Sequence, residues 1–425
     1  ISMSIKDDNA DGNETAFAVT GYSESQIVVV TRADFDTDLD DAPKLTITEA
    51  VDTTTDAVTV QLSGVGVNGD DTNAGGGGAD SDEFGIGTLD VSNFETVNIE
   101  SAKTTTQTAN ELIVLTASSA TSANLTGSAA LTIGTLTLAS TATSVDASAM
   151  TGALTLNAGA YNATYKMPTV SSTLNFGTGL NNQDTVIGGA GTADVVNADV
   201  SGATATTGVL NISAVETVNL DVDTTAAIVD ATSISGQINI YQDGGGTAAK
   251  MTLSKLAAGQ VVGLGRAATY ESKGQVVLSL ADATGTSDEM TVAIVANDAD
   301  DDIDANLDIT GVETVTVAVN ASTKDVQLDV AGVTASKIVV SGGLAGEELD
   351  LTNGGTTKLN VSVTEVDATG HAGHIKVDAS AASAPAISIT ASASTTAHTI
   401  TGTGNADTFT ITGATGNQEA VTGGA

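Results

Sequence analysis

Cysteine and tryptophan are absent from this chain, proline occurs three times, and aromatic residues make up 3% of its 425 positions. Without cysteine there are no disulfides, no thiolate metal sites and no cysteine nucleophile. A secreted protein lacking disulfides takes its cross-links from elsewhere, and metal ions are the usual substitute. With 41% hydrophobic residues and almost no aromatics, Ala, Val, Ile and Leu must fill the core. Narrow cores of stacked strands are filled well by such small and β-branched side chains. Cations are scarce too: 13 Lys and Arg stand against 52 Asp and Glu, a formal net charge of −39. That excludes nucleic-acid binding, which needs basic patches for phosphate, and argues against docking on an anionic membrane. Long apolar runs are lacking as well. Ile27 to Val30 and Leu112 to Leu115 are strand-sized, far below the roughly 18 residues of a membrane span, so no membrane insertion is expected.

What is present is repetition. Leu210-Asn211-Ile212-Ser213-Ala214-Val215-Glu216-Thr217-Val218-Asn219-Leu220 is the middle of three related copies. The others run from Leu89 to Ile99 and from Leu307 to Val317, and each contains Glu-Thr-Val. Apolar and polar residues alternate at both ends, the period of a strand, and internal recurrence marks a stacked or tandem architecture. A second unit, Val145-Asp146-Ala147-Ser148, recurs as Val229-Asp230-Ala231-Thr232, with weaker copies at Leu328-Asp329 and Val377-Asp378. The gap from Glu216 to Asp230 is 14 residues, from Glu313 to Asp329 16, and from Glu95 to Asp146 51. The longest gap predicts extra strands over Glu111 to Leu138, which also alternates. Unequal spacing predicts irregular coils. The fold class expected is all-β: an irregular parallel β-helix or β-solenoid, or tandem strand-rich modules. The expected divisions are an N-terminal β segment over 1–60 and repeat modules over 61–170, 171–285 and 286–425. Ser254 to Gly259 is the best candidate for a short helical turn.

Acidic turns supply the candidate metal ligands. Asp7, Asn9, Asp11 and Gly12 fit the start of a calcium loop, where alternate side chains converge on one ion, although position twelve is Ala18. Asn182-Gln183-Asp184 leads into Gly188-Gly189-Ala190-Gly191-Thr192-Ala193-Asp194, and Gly402-Thr403-Gly404-Asn405-Ala406-Asp407 repeats the theme. The densest run, Asp300-Asp301-Asp302-Ile303-Asp304, imitates calcium-loop spacing, but Leu307 stands where Gly is needed and strand alternation continues through it. In each case the competing reading is a solvated acidic turn. Carboxylates stacked about 4.8 Å apart repel by roughly 3.5 kcal/mol at an effective dielectric of 20, so a ladder of them must be solvated or bridged by a cation. The candidate Ca2+ ligands are therefore Asp7, Asn9, Asp11, Asp184, Asp194, Asp300, Asp302, Asp304 and Asp407.

The Gly-rich segments ending in Asp194 and Asp407 resemble the RTX, or hemolysin-type calcium-binding, repeat G-G-x-G-x-D-x-U-x. Each departs from it by one extra residue before Asp, and no two consecutive nonapeptides are intact, which predicts isolated ions rather than a continuous calcium-loaded roll. The Glu-Thr-Val and Asp-Ala-Ser/Thr units are similar to those of RTX-containing bacterial surface-layer proteins and large extracellular relatives. The resemblance implies an extracellular, cell-surface location, type I secretion, and assembly with copies of itself into a homo-oligomeric lattice or filament, with cell-surface polysaccharide as a further partner.

Catalytic signatures are not found. His371-Ala372-Gly373-His374 lacks the Glu and the helix of a zinc protease, and with His398 it reads as exposed loop histidines. There is no Gly-x-Ser-x-Gly elbow, and among so many carboxylates nothing selects a catalytic pair. The chain begins at Ile1, shows no signal peptide and ends mid-pattern at Thr422-Gly423-Gly424-Ala425, as a portion of something longer would. The expectation is a non-enzymatic extracellular structural protein rigidified by calcium. The alternatives are an RTX-type adhesin stalk with an ice- or glycan-binding tip elsewhere, and a β-helical polysaccharide-degrading enzyme.

Overall fold

A computed structural model describes residues 2–6, 17–23, 26–34, 44–65, 86–105, 107–223, 225–241, 249–265, 273–295, 303–320, 325–352, 354–381, 384–412 and 420–423. It is all-β, with no helix among the described residues, and its strands stack as a parallel β-solenoid. Successive strands alternate between two sheets, and every pairing between strands of one sheet is parallel. The chain divides into two compact units: residues 1–198 with 211–216, and residues 199–210 with 217–425.

In the first unit, one sheet has nine strands and begins Ser2–Lys6, Val28–Asp34, Ala57–Ser63, Thr96–Ala102 and Ser122–Gly127. The facing sheet includes Lys44–Glu49, Ile86–Asp90, Ala109–Thr116, Ala130–Thr137 and Leu154–Asn157. The second unit repeats the plan. One nine-stranded sheet runs from Ala227–Asp230 to Ala420–Thr422, and the other includes Glu289–Ile294, Thr314–Val319, Lys337–Gly342 and Glu365–His371.

Period-two patterning and parallel register together build the core. Val58, Val97, Ala123, Val145, Tyr165, Val186 and Ile212 are partners from coil to coil, and each is at most 2% exposed. Leu112, Ile133, Leu156, Leu174 and Val196 form a matching column in the facing sheet. Burying each such side chain contributes about 1.5–3 kcal/mol. One of the few aromatics, Tyr165, fills its place in the column edge-on to Phe176, with centroids 4.9 Å apart. On the outer face the same register stacks like on like. Asn175 Nδ2 donates to Asn157 Oδ1 at 2.8 Å and Asn197 Nδ2 to Asn175 Oδ1 at 2.6 Å, the amide ladder that in-register parallel strands favour.

The Glu-Thr-Val units are corners with a strand on either side. In the third copy the strand Ile303–Thr310 turns at Gly311 into Thr314–Val319, and Val97, Val218 and Val315 are equivalent inward positions at 0–1% exposure. The expected extra strands are present as Ala109–Thr116, Ser122–Gly127 and Ala130–Thr137. The helical turn expected at Ser254 to Gly259 is instead the end of the strand Met251–Leu256 and a tight turn. Met251, Leu253 and Leu256 are pulled into the core, and parallel pairing with Lys273–Leu280 outweighs local propensity.

Candidate functional site

The residue immediately before a strand recurs as an acceptor. Glu95, Glu216 and Glu313 each precede the first residue of a strand, and each accepts a backbone N–H from the preceding coil. The donors are Asp56 at 2.9 Å, Asp194 at 2.8 Å and Asp288 at 2.8 Å. Those donors themselves sit just before strands, Ala57–Ser63, Val195–Asp199 and Glu289–Ile294. The glutamate of the repeated motif is thus a rung tying one coil's strand entry to the next.

Aspartates fill the same position. Asp184 Oδ1 accepts the Ala163 N–H at 3.1 Å while Oδ2 accepts that of Asn181 at 2.8 Å. Asp194 accepts Ser172 N–H and Gly189 N–H, both at 2.9 Å. Asp407 Oδ1 accepts Ile387 N–H at 3.0 Å and the Thr403 hydroxyl at 2.7 Å, and its Oδ2 accepts Thr403 N–H. In the first unit these rungs run in series, from Leu154 N–H to Ser172 Oγ, Ser172 N–H to Asp194, and Asp194 N–H to Glu216. The glycines before Asp194 serve the same close stacking. A Cβ on Gly188 would strike the Ala214 carbonyl, and one on Gly189 the Pro168 carbonyl.

Burial pushes the Asp184 and Asp194 carboxyls up from the ordinary carboxylate range, against the pull of their N–H donors; Glu216 adds a smaller push on Asp194. Asp184, Asp194 and Asp407 therefore close turns with their oxygens, and the structure does not bring Asp184 and Asp194 into one ligand group. Asp7, Asn9, Asp11, Asp300 and Asp302 lie outside the described residues, as does the side chain of Asp304, which stands on the strand Ile303–Thr310.

The ligand-like cluster among the described residues is one that the sequence reading passed over. Glu49, Asp52 and Asp56 present carboxylate oxygens within 4.8 Å of one another at the exit of the strand Lys44–Glu49. Asp56, 4% exposed, accepts from Thr53 N–H and Oγ. Glu49 Oε1 is buried without a partner. Burial, a hydrogen bond to Asp56 and the charges of Asp56, Asp52 and Glu95 raise the Glu49 pKa to about 7. Such a group holds a proton or a cation, and hard oxygen donors of this kind suit Ca2+. A spacing of Glu-x-x-Asp-x-x-x-Asp after an alternating strand was the available signal.

The second recurrent unit is also structural. Asp146 and Asp230 of that unit, and Asp350 outside it, accept both the N–H and the hydroxyl of the Ser or Thr two residues on. Each also meets a lysine of a neighbouring coil: Lys166 at 2.7 Å, Lys255 at 2.6 Å and Lys376 at 2.6 Å. Burial opposes ionisation of Asp350, but Lys376 and Thr352 together hold its carboxyl below the usual range.

The histidines are not exposed loop residues. His371 is 4% and His398 1% exposed, because His371 ends the strand Glu365–His371 and His398 immediately precedes Thr399–Thr401, both within the stacked coils. His371 faces inward, with Nδ1 on the Gly342 carbonyl at 3.1 Å. His374 lies on the other face, with Nε2 3.2 Å from Glu348. A shallow groove lined by Ile234, Gly236, Gln237, Ala258 and Gln260 has no titratable side chain. Comparison with family models, curated proteins and solved structures returns no match.

Proposed function

We propose that the chain is an extracellular structural protein, a solenoid subunit of a bacterial surface layer or of a secreted filament or matrix, rigidified by Ca2+. One observation carries this reading: the repeated acidic motifs are spent on joining coil to coil. Glu95, Glu216, Glu313, Asp184, Asp194 and Asp407 all tie strand entries to their neighbours. Repetition of this kind extends a stiff body rather than shaping a pocket. The resemblance to RTX-containing surface proteins supports the extracellular location, type I secretion and calcium. Within the described residues, calcium is assigned to Glu49, Asp52 and Asp56. The acidic turns at Asp7 to Asp11 and Asp300 to Asp304 are the other proposed positions.

A net charge of −39 makes copies of the chain repel, so self-assembly requires that charge to be bridged. Light scattering through a calcium titration at fixed ionic strength, with magnesium as control, tests the proposal. Assembly promoted by calcium beyond magnesium is expected. Particles that stay monomeric at millimolar calcium would replace it with the adhesin-stalk reading.

A further inference from the structure

All three histidines of the chain fall within one region of the second unit. His398 takes the place that carboxylates take elsewhere. It immediately precedes the strand Thr399–Thr401 and reaches back to the preceding coil, where Nδ1 accepts the Ile375 N–H at 3.1 Å. Its Nε2 lies 2.8 Å from the Ser392 carbonyl, which only accepts. These partners fix the ring: the proton is on Nε2, and Nδ1 must keep its lone pair. Ile375 is fully buried, so its N–H has no water to turn to.

We propose that His398 is an acid-release latch, whose protonation at Nδ1 sets two N–H groups against each other and frees the strand Thr399–Thr401 from His374–Asp378. Imidazole is the side chain that exchanges its proton between about pH 5 and 8, whereas ordinary carboxylates keep their acceptor oxygens to about pH 4. Acid therefore acts on this coil before a coil tied by a carboxylate in that ordinary range, above which burial lifts Asp184 and Asp194. Titratable groups around the latch include His371 at the end of Glu365–His371, His374 on His374–Asp378 and Glu348 on Glu348–Asp350. The strand Ser388–Ser392 contributes the neutral Ser392 carbonyl. Glu348 is already engaged with His374. His371 works in the same direction as the latch. Burial lowers its pKa, opposed by nearby carbonyls and reinforced by the other two histidines. A depressed histidine contributes stability that is whole above its unfolded value and is lost as pH falls.

Amide hydrogen exchange on the intact chain at pH 7.5 and 5.5, corrected for intrinsic rates, reads the latch. Protection of Ile375 and Thr399–Thr401 is expected to fall about tenfold at pH 5.5, while Ala130–Thr137, a strand without a titratable side chain, is unchanged. His398→Gln, whose amide accepts and donates without titrating, is expected to hold protection at both values. Unchanged protection in the parent at pH 5.5, or an equal loss in His398→Gln, overturns the proposal. If His398→Gln is already open at pH 7.5, 15N resonances of the parent imidazole decide. Protonation of His398 at the midpoint of opening sustains the latch, and opening while His398 stays neutral overturns it. Loss of the pH response in His371→Gln but not in His398→Gln moves the switch to His371 and also overturns it.

Discussion

The carboxylate of Glu216 accepts the backbone N–H of Asp194, 22 residues earlier, at 2.8 Å. The Asp194 carboxylate in turn accepts the N–H of Ser172, 22 residues before that. Asp194 is fully buried and Ser172 is 4% exposed, so neither the Asp194 N–H nor that of Ser172 is left to solvent. A buried N–H without an acceptor costs about 1–3 kcal/mol, which makes this column a stability element rather than an ornament of the turns.

Asp194→Ala should therefore cost about 1–3 kcal/mol for the orphaned, buried Ser172 N–H, with a smaller loss at the half-buried Gly189 N–H. Asp194→Asn keeps one acceptor oxygen and should fall between Ala and the parent. Denaturant unfolding of the three proteins checks the order. An Asn variant no better than Ala would mean that charge, not hydrogen bonding, holds the turn.

Corner geometry gives a stabilising substitution. Ala214 has φ of 55°, the left-handed region that Gly311 occupies at 75° in the third copy of the motif. A side chain there costs about 1–2 kcal/mol, partly offset by the chain entropy of glycine. Ala214→Gly should raise stability by about 0.5–1 kcal/mol. Gly311→Ala should lower it, since its Cβ would also approach Ala283 Cβ to 2.8 Å. Melting temperatures that move in the same direction for both would refute the assignment.

At Glu49 the sign runs opposite to that of the histidines. Its folded pKa is raised to about 7 from 4.5. The stability associated with its protonated form is complete below about 4.5 and is lost as pH rises through 7. Melting between pH 5 and 8 should show that decline in calcium-free buffer and lose it in Glu49→Gln. Millimolar calcium should restore the parent at pH 8 but not the Gln variant. No calcium effect on either would remove Glu49, Asp52 and Asp56 as the ion's site.

Val218 is fully buried in the motif's second strand. Val218→Asp places a carboxylate in an apolar column without a partner, at a cost of about 4 kcal/mol or more. Equilibrium unfolding measures it, and an unchanged midpoint would place the strand in the wrong register.

Alternation made the strands legible: Thr96 to Ala102 and Thr314 to Val319 announce their inward face by period two alone. The scarcity of aromatics likewise pointed to a narrow aliphatic core, and the unequal gaps between motifs to irregular coils. The roles of the acidic residues were less accessible. Asp184 and Asp194 stood out as Gly-flanked turn carboxylates, yet both are saturated by backbone N–H groups. The lysine partners of Asp146, Asp230 and Asp350 lie 20, 25 and 26 residues away.

Strand identity is decided within a few residues, because the pleat turns successive side chains to opposite faces whatever lies nearby. The sequence by itself therefore determined an all-β chain, its inward columns and its charge. What an Asp, Glu or His does at a corner depends on which backbone N–H the coil below presents. Glu95 meets Asp56 across 39 residues and Glu313 meets Asp288 across 25. His398 meets Ile375 across 23. Loops of unequal length set those distances, so no fixed spacing encodes them, and only stacking of the coils decides whether a carboxylate faces water, an ion or a buried N–H.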